Sequence, residues 1–508
     1  MNCATVFSAT EFPFLEVEEA AVRESLLDTR KRLDLVHERL AEARRLTLEL
    51  EIEREQLQES VDMHKAVLSP GRRLPTEILS EIMLACVHAE KFDSLHTDNG
   101  AWILGQVSHR WRTVALNLQA LWSAVVVKVD GFTTSNSLTI LREWLRRSGS
   151  HSLVDIKFCY PPREITQTTQ VCRDLLDILT DHSSRWRSVD LQLKNGDFMS
   201  LFRVRGKLGN LRALTLNHVS TRPLKNAVHA FETAPRLKEI GLFNFCDAEL
   251  FLKLPWAQIT VYKARVSTPL DHRRIFALAP RLQSCCLAYE KSGIPDVKQA
   301  SAKVEDSSIS LHHLQKLVFW NTVPSDLHLP ALEDISIWCD MKTKNAFLGP
   351  ARMISYSRCT VRRLSINAVV FHTAPITDLL RVCHLLDSLE LRAYGDKLSH
   401  LTGIIRAMIV PDVECLSEES DAVLVPSLTN FSLLVEGRAD LDHILLTDML
   451  ESRWRLPRPA AVSALRAFRF SDKQVRTAPG SMSRVKTFML QGMEISIEPA
   501  WLSDVVLG

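Results

Sequence analysis

Side chains able to do chemistry are plentiful in this chain, but few stand at the spacings chemistry needs. Cys285 and Cys286 are adjacent, and a strand through them turns one thiol inward and the other outward, an arrangement unsuited to a redox pair. His312 and His313 form the only adjacent histidine pair, ahead of an apolar segment and with no carboxylate or cysteine ligand beside it, so a surface turn is expected rather than a metal site. Arg185-Trp186-Arg187 and Arg453-Trp454-Arg455 combine a cation with an aromatic, as nucleobase-stacking sites do. Here the expectation is a packed tryptophan between solvated arginines. The sequence has neither a G-x-x-x-x-G-K nor a G-x-G-x-x-G phosphate loop, no G-x-S-x-G elbow and no H-E-x-x-H. These readings predict no catalytic residue, no metal, no cofactor and no enzymatic activity.

The spacing that carries information is apolar, and its chemistry is docking. Leu74-Pro75-Thr76-Glu77-Ile78-Leu79 opens a segment that continues through Ile82, Met83, Cys86 and Val87 at helical spacing. Pro75 suits a helix start, where its missing N–H costs nothing, and Glu77 lies in the first turn, the end favoured by the helix dipole. A second helix is predicted to carry Ile103, Val107, Trp111 and Val114, with Asp93 to Gly100 as a polar turn before it, and a third apolar segment ends at Leu121-Trp122. About fifty residues bury little core of their own, so part of this apolar surface is expected to face another protein.

The Leu-Pro-x-Glu-Ile opening, the Val107-x-x-x-Trp111 step and the closing Leu121-Trp122 resemble the F-box, the module by which SCF ubiquitin ligases hold substrate receptors on a Skp-type adaptor. With Ser69-Pro70 and Arg72-Arg73 just ahead, the segment is similar to the F-box-like proteins abundant in mushroom-forming fungi. It departs from the pattern in placing Ser108 where many F-boxes have cysteine, and in a long segment between its first two helices. The resemblance implies that Leu74, Pro75, Ile78, Leu79, Ile82, Val107, Trp111 and Trp122 anchor the adaptor or hold the small helical core. It also implies that a cullin is recruited through that adaptor and that another part of the chain grips a protein substrate.

The elements that position this segment are legible on both sides. From Phe14 to Ser69 there is no Gly, Pro, Tyr or Trp. The Glu-, Arg- and Leu-rich composition predicts one helix over 14–69, about 80 Å long. Leu26, Leu33 and Leu40 recur every seven residues, interleaved with Val36, Ala43, Leu50 and Leu57, although Thr47 and Arg54 break the seam. Two readings stand: a coiled-coil dimer through 14–69, or a single charged helix. Pro70 and Gly71 end it, and residues 1–13 are expected to be disordered.

Beyond Val129 a phrase repeats: apolar, two positions, apolar, one position, apolar. Ala234-Pro235-Arg236-Leu237 leads to Ile240 and Leu242, and Ala279-Pro280-Arg281-Leu282 leads to Cys285 and Leu287. The cadence recurs at Trp186/Val189/Leu191, Leu211/Leu214/Leu216, Trp256/Ile259/Val261, Leu314/Leu317/Phe319 and Leu332/Ile335/Ile337. It continues at Val361/Leu364/Ile366, Leu386/Leu389/Leu391, Leu428/Phe431/Leu433 and Leu465/Phe468/Phe470. Intervals near ~25 residues are those of leucine-rich repeats. Asn217, Asn244, Asn321 and Asn367 follow four copies, where such repeats turn the chain. Helical patterns fall at Val171/Leu175/Ile178/Leu179, Ile376/Leu379/Leu380/Cys383 and Leu441/Ile444/Leu445. Each unit leaves an apolar face that only a neighbour can cover, which predicts a stacked solenoid; a doubly wound α/β sheet fits the alternation as well. Lys291 to Ser310 and the acidic Asp412 to Asp421 read as inserted surface loops.

The bulk properties bound the rest. The 508 residues leave room for two or three domains, a 46% hydrophobic fraction supplies a sizeable core, and a net charge of +2 gives no general attraction for nucleic acid. Eleven dispersed cysteines read as reduced thiols. The acidic first twenty residues lack the basic region of a leader peptide, and no apolar run is long enough to span a bilayer. The expectation is a soluble protein of the cytoplasm or nucleus, away from membranes. Its fold class is α/β overall: a long helix over 14–69, a three-helix F-box over 70–128 and an irregular leucine-rich-repeat-like solenoid over 129–500. The expected function is substrate recognition for an SCF-type ligase; the alternative is a non-ligase scaffold that dimerises through its first helix.

Overall fold

The computed structural model describes residues 16–68, 70–88, 92–130, 133–160, 170–220, 224–245, 248–266, 270–289, 309–321, 327–339, 347–394, 399–411, 423–436, 442–455, 462–471 and 479–497. Residues 1–13, most of Lys291 to Ser310 and the whole acidic insert lie outside them. The protein is mixed α/β, with a long N-terminal helix and a large parallel sheet. The chain divides into two compact units, Met1–Glu81 and Ile82–Gly508.

In the first unit, α1 runs Glu16–Leu68 for 53 residues, within the stretch that lacks glycine and proline. Pro70 stops it, and a 3₁₀ turn, Pro70–Arg72, follows. Ion pairs such as Arg23–Glu19 (2.7 Å) and Arg32–Asp28 (3.0 Å) join successive turns. Among the described residues, Leu26, Leu33, Leu40, Leu50 and Leu57 of this helix are each 43–60% exposed.

In the second unit, among the described residues, fourteen strands form one sheet: β1 Ala124–Lys128, β2 Val154–Cys159, β3 Trp186–Leu193, β4 Ala213–His218, β5 Glu239–Phe243, β6 Val261–Val266, β7 Ser284–Tyr289, β8 Lys316–Trp320, β9 Asp334–Cys339, β10 Arg363–Ala368, β11 Ser388–Tyr394, β12 Asn430–Glu436, β13 Ala467–Ser471 and β14 Glu494–Ile497. Every neighbour is parallel, and spatial order follows sequence order from end to end. A doubly wound sheet reverses its strand order at a switch point; this sheet does not.

The register shows why the phrase repeats. Val125, Ile156, Val189, Leu214, Ile240, Tyr262, Cys285, Leu317 and Ile335 stand side by side and continue through Leu364, Leu389, Phe431 and Phe468. All thirteen are at most 3% exposed. Two residues on, Leu191, Leu216, Leu242, Ala264, Leu287, Phe319, Ile337, Ile366, Leu391, Leu433 and Phe470 form a second buried ladder. Period-two alternation puts both ladders on one face, and helices between later strands, such as Leu348–Ser357, Thr373–Val382 and His443–Trp454, bury their own apolar stripes. Each buried leucine contributes about 1.5–3 kcal/mol of transfer free energy.

Several sequence expectations need correction. At Trp256/Ile259/Val261 the frame is three residues early: Trp256 lies in a 3₁₀ turn behind Pro255, and Ile259, Tyr262 and Ala264 take the inward positions. Turn bonds from Gln258 N to Pro255 O and from Ile259 N to Trp256 O bend the chain where extension was expected. The stripe at Ile444 and Leu445 is displaced as well, and Leu441 lies outside the described residues. Asp442 caps this helix by accepting from the N–H groups of Ile444 and Leu445, Ile444 is 67% exposed, and Leu446, Met449 and Leu450 are buried instead. Of the four asparagines, Asn244 (φ 60°) and Asn321 (φ 63°) turn the chain in the left-handed region, while Asn217 and Asn367 remain within β4 and β10.

The arginines flanking tryptophan also differ from expectation. Arg453 is wholly buried, donating to the carbonyls of Met408 (2.8 Å), Leu424 (2.6 Å) and Val425 (3.1 Å). Arg185 is buried too and donates to Ser152 O and Ser148 Oγ; Arg187 is solvated beside Asp155. The carbonyls of turns between strands have no ladder partner, and a guanidinium supplies several donors at once. Burial lowers the Arg453 pKa to about 10.

Candidate functional site

The eight residues singled out in the sequence fall at very different depths. The helix α2, Thr76–His88, begins at Pro75, whose carbonyl accepts from Leu79 N at 3.0 Å. Leu79 and Met83 are fully buried, whereas Ile78 is 48% and Ile82 is 37% exposed, and Cys86 is exposed. Residues four apart share a helix face, so α2 has two apolar sides, one enclosed and one open. Leu74 is half-buried and Pro75 exposed.

The predicted second helix is two. Helix α3, Gly100–Leu104, ends at Gly105, and α4, His109–Asn117, starts afresh with Ser108 as N-cap, its Oγ accepting from Trp111 N at 3.2 Å. Val107 lies in the intervening bend rather than on a helix and is 59% exposed; Trp111 is half-buried. A cap needs extended backbone at its own position, which Ser108 adopts at φ −161°, and that breaks any continuous helix through it. The expected polar turn is pinned: Ser94 N donates to Val126 O (2.7 Å), and Ser94 Oγ accepts from Val126 N (3.0 Å), covering the edge of β1. Asp93 is buried there, and burial raises its carboxyl pKa.

Trp122 is 1% exposed. Its Nε1 donates to Ala115 O at 2.8 Å, and its carbonyl accepts from Trp144 Nε1 at 3.0 Å. Trp102, Trp122 and Trp144 meet edge to face at centroid separations of 4.9–5.7 Å. The Arg147 guanidinium lies 4.4 Å from the Trp102 ring centre and 4.7 Å from that of Trp122, held by Glu143 at 2.8 Å. Trp144 and Arg147 belong to α5, Ser135–Arg147, beyond residues 70–128. Sequence reading missed this cluster. Its signal is three tryptophans and an arginine within a few dozen residues, masked by the helical periodicity through Ile103, in which Trp102 has no place.

The open face of the sheet is a second candidate surface. Side chains between the ladders and immediately after them point away from the buried core, and here they are polar and aromatic. Lys157, Asp190, Asn217, Phe243, Asn244 and Arg265 line a hollow of about 210 Å³, with Lys157 Nζ 3.3 Å from Asp190 and Asn244 Nδ2 donating to Asn217 Oδ1 at 2.9 Å. Gly241 keeps this face low: a Cβ there would come 2.9 Å from Thr215 Oγ1. Farther along, Trp320 and Trp338 stack at 5.3 Å and 14°, with Tyr394 6.5 Å beyond. Tryptophan, tyrosine and arginine are the residues that most often carry binding energy at protein interfaces. They were legible in principle, since Trp320 and Trp338 each directly follow a ladder residue.

The remaining chemical candidates are accounted for by position. Cys285 is buried with its pKa raised well above the ordinary thiol value, and the half-buried Cys286 is pushed up to about 11, in both cases chiefly by burial. His312 and His313 are exposed. Among the described residues no group of three or more His, Cys, Asp or Glu is placed to hold a metal ion, and no helix is long and apolar enough to cross a membrane. A scan against models of known protein families finds none that matches the chain, and a search of curated proteins returns no match.

Proposed function

We propose that this protein is a substrate-recognition adaptor of an SCF-type ubiquitin ligase. On this reading the F-box expected over 70–128 ends ahead of β1, at residue 123, and docks on a Skp-type adaptor, and the parallel array from β1 onward is a degenerate leucine-rich-repeat-like solenoid whose open face grips a protein substrate. The ligase chemistry resides elsewhere in the complex, and this chain supplies proximity. The observation that carries the reading is the divided α2: Leu79 and Met83 hold the fold, while Ile78 and Ile82 leave an apolar side uncovered directly behind the Leu74-Pro75 step. Sequential parallel strands with a phrase of fixed register support the solenoid, as do Trp320 and Trp338 on its open side. Leu79 and Trp122, being enclosed, serve the helical core; Pro75, Ile78, Ile82 and Val107 remain for contact, with Leu74 and Trp111 partly so.

The test is co-purification of the full chain with a Skp-type adaptor. The exposed fractions of Ile78 and Ile82 sum to a little under one full isoleucine (48% and 37%), worth about 1.3–2.5 kcal/mol when covered. Ile78→Glu with Ile82→Glu therefore weakens binding by a factor of at least about 10 to 70, with an unchanged circular dichroism spectrum. Wild-type adaptor binding by this variant would falsify the docking assignment. A second reading has its own observation: the exposed leucines of α1 suit a scaffold that dimerises without a cullin. Pull-down for a cullin separates the two, since only the ligase adaptor retains it.

A further inference from the structure

We propose that α1 pairs with α1 of a second copy of this chain, and that the two helices run antiparallel. The inference deepens the dimer of the scaffold reading and is independent of whether a cullin is recruited. A 53-residue helix whose leucines are all near half-exposed has an apolar seam that nothing within its own length can cover. The charges flanking that seam decide the orientation, because flanking positions set partner geometry in coiled coils.

In a parallel, in-register pair each seam residue meets its own copy. Arg54 would then face Arg54, and on the flanks Arg39 would stand beside Arg44, so like charges meet in this arrangement. Reversing one helix removes these conflicts. Leu26 lies opposite Leu57, Leu33 opposite Leu50, Leu40 opposite Ala43, Val22 opposite Val61, and Arg54 opposite Thr29. In this register Arg30 flanks Glu51 of the second copy and Arg32 flanks its Glu53, each pair occurring twice by symmetry. The basic contact that remains, His37 beside Arg44, is outweighed by these acid–base pairs. The side chains of Arg30, Arg32, Glu51 and Glu53 are all exposed. Thr29 and Thr47, the small polar residues of the seam, satisfy their hydroxyls on Ser25 O and Ala43 O at 2.8 Å. The overlap from Val22 to Val61 is about 60 Å long, and it sends the two Leu74-Pro75 steps away from opposite ends of a rod of about 80 Å. An antiparallel dimer is thus bivalent with its two docking segments far apart.

The experiment is sedimentation equilibrium on the full chain and two charge-reversed variants, Arg30→Glu with Arg32→Glu and Glu51→Arg with Glu53→Arg. Each reversal turns four attractive exposed pairs repulsive, at a factor of about 3 apiece at low salt, so each variant alone associates roughly 100-fold more weakly than wild type. An equimolar mixture restores wild-type association. The reversed position 30 of one variant then faces the reversed position 51 of the other, while the unreversed Arg30 and Glu51 still meet. Circular dichroism of each variant excludes loss of the helix as the cause, and only the mixture can show rescue. If the wild-type chain is a monomer at every concentration, both the dimer and its orientation are overturned. If the variants dimerise as tightly as wild type, or the mixture gains nothing, the antiparallel orientation alone is overturned.

Discussion

Removing the Trp144 side chain should disrupt the packing of α5 against Trp102 and Trp122. Trp144 is 2% exposed, so truncation to alanine creates a cavity costing ~3–5 kcal/mol. It also leaves the Trp122 carbonyl without its donor at 3.0 Å, ~1–3 kcal/mol. The edge-on contacts with Trp102 and Trp122 are worth ~0.5–1.5 kcal/mol each beyond their area. These contributions overlap, since one ring makes them all, and the expected net loss is about 5 kcal/mol. Trp144→Phe keeps most of the packing and loses chiefly the Nε1 bond, so it should cost ~1–2 kcal/mol. Arg147→Met, which keeps the stem but loses both ring contacts and the bond to Glu143, should cost ~1 kcal/mol. Urea denaturation followed by tryptophan fluorescence and by far-ultraviolet circular dichroism measures all three. A Trp144→Ala protein within ~1 kcal/mol of wild type would show that Trp122 is held by something other than this cluster.

Two further outcomes follow from buried or paired charges. Arg453→Met leaves the carbonyls of Met408, Leu424 and Val425 without their guanidinium donor; relief of the buried charge offsets part of the loss, and a net destabilisation of ~3 kcal/mol is expected. Arg453→Lys should recover little of it, because one ammonium cannot span three carbonyls, and full recovery in a thermal melt would contradict this geometry. Glu143 is held at about 2 by its hydrogen bond from Arg146, opposed by partial burial and aided by Arg147. Its folded value lies below the unfolded one, so the carboxylate stabilises the fold above about pH 4.3, and that contribution is lost as pH falls toward 2. Urea midpoints measured from about pH 5 to about pH 2.5 should therefore fall more steeply for wild type than for Glu143→Gln; parallel curves would count against the pair.

Most of the sheet was legible because its repeat is a burial requirement, and burial leaves a mark in residue type. The phrase at Leu214/Leu216, Leu364/Ile366 and Leu389/Leu391 names inward residues of successive strands. It misplaces the frame at Trp256, where two frames three residues apart satisfy the same spacing and a turn bond chooses between them. The first two strands are absent from the cadence read in the sequence although Trp122/Val125/Val127 and Leu153/Ile156/Phe158 have its spacing; in β1 the buried Val126 between Val125 and Val127 blurs the alternation, whereas β2 alternates cleanly. On α2, apolar residue type names the helix but cannot divide it: Ile78 and Leu79 are chemically alike, and only the packing buries one and exposes the other.

Two features are therefore written in the residues alone. One is the long helix, set by an uninterrupted run of helix-forming residues and by the proline that closes it. The other is the parallel repeat, whose ladders require apolar side chains at fixed intervals. Both obey local rules that recur at every turn of the chain. Only folding in three dimensions encloses Trp122 with Trp102, Trp144 and Arg147, buries Arg453 among carbonyls, and brings Trp320 against Trp338 across adjacent strands. Those contacts join residues distant in sequence. Their partners are chosen by the strand register and by which acceptors the turns leave unsatisfied, neither of which any single segment encodes.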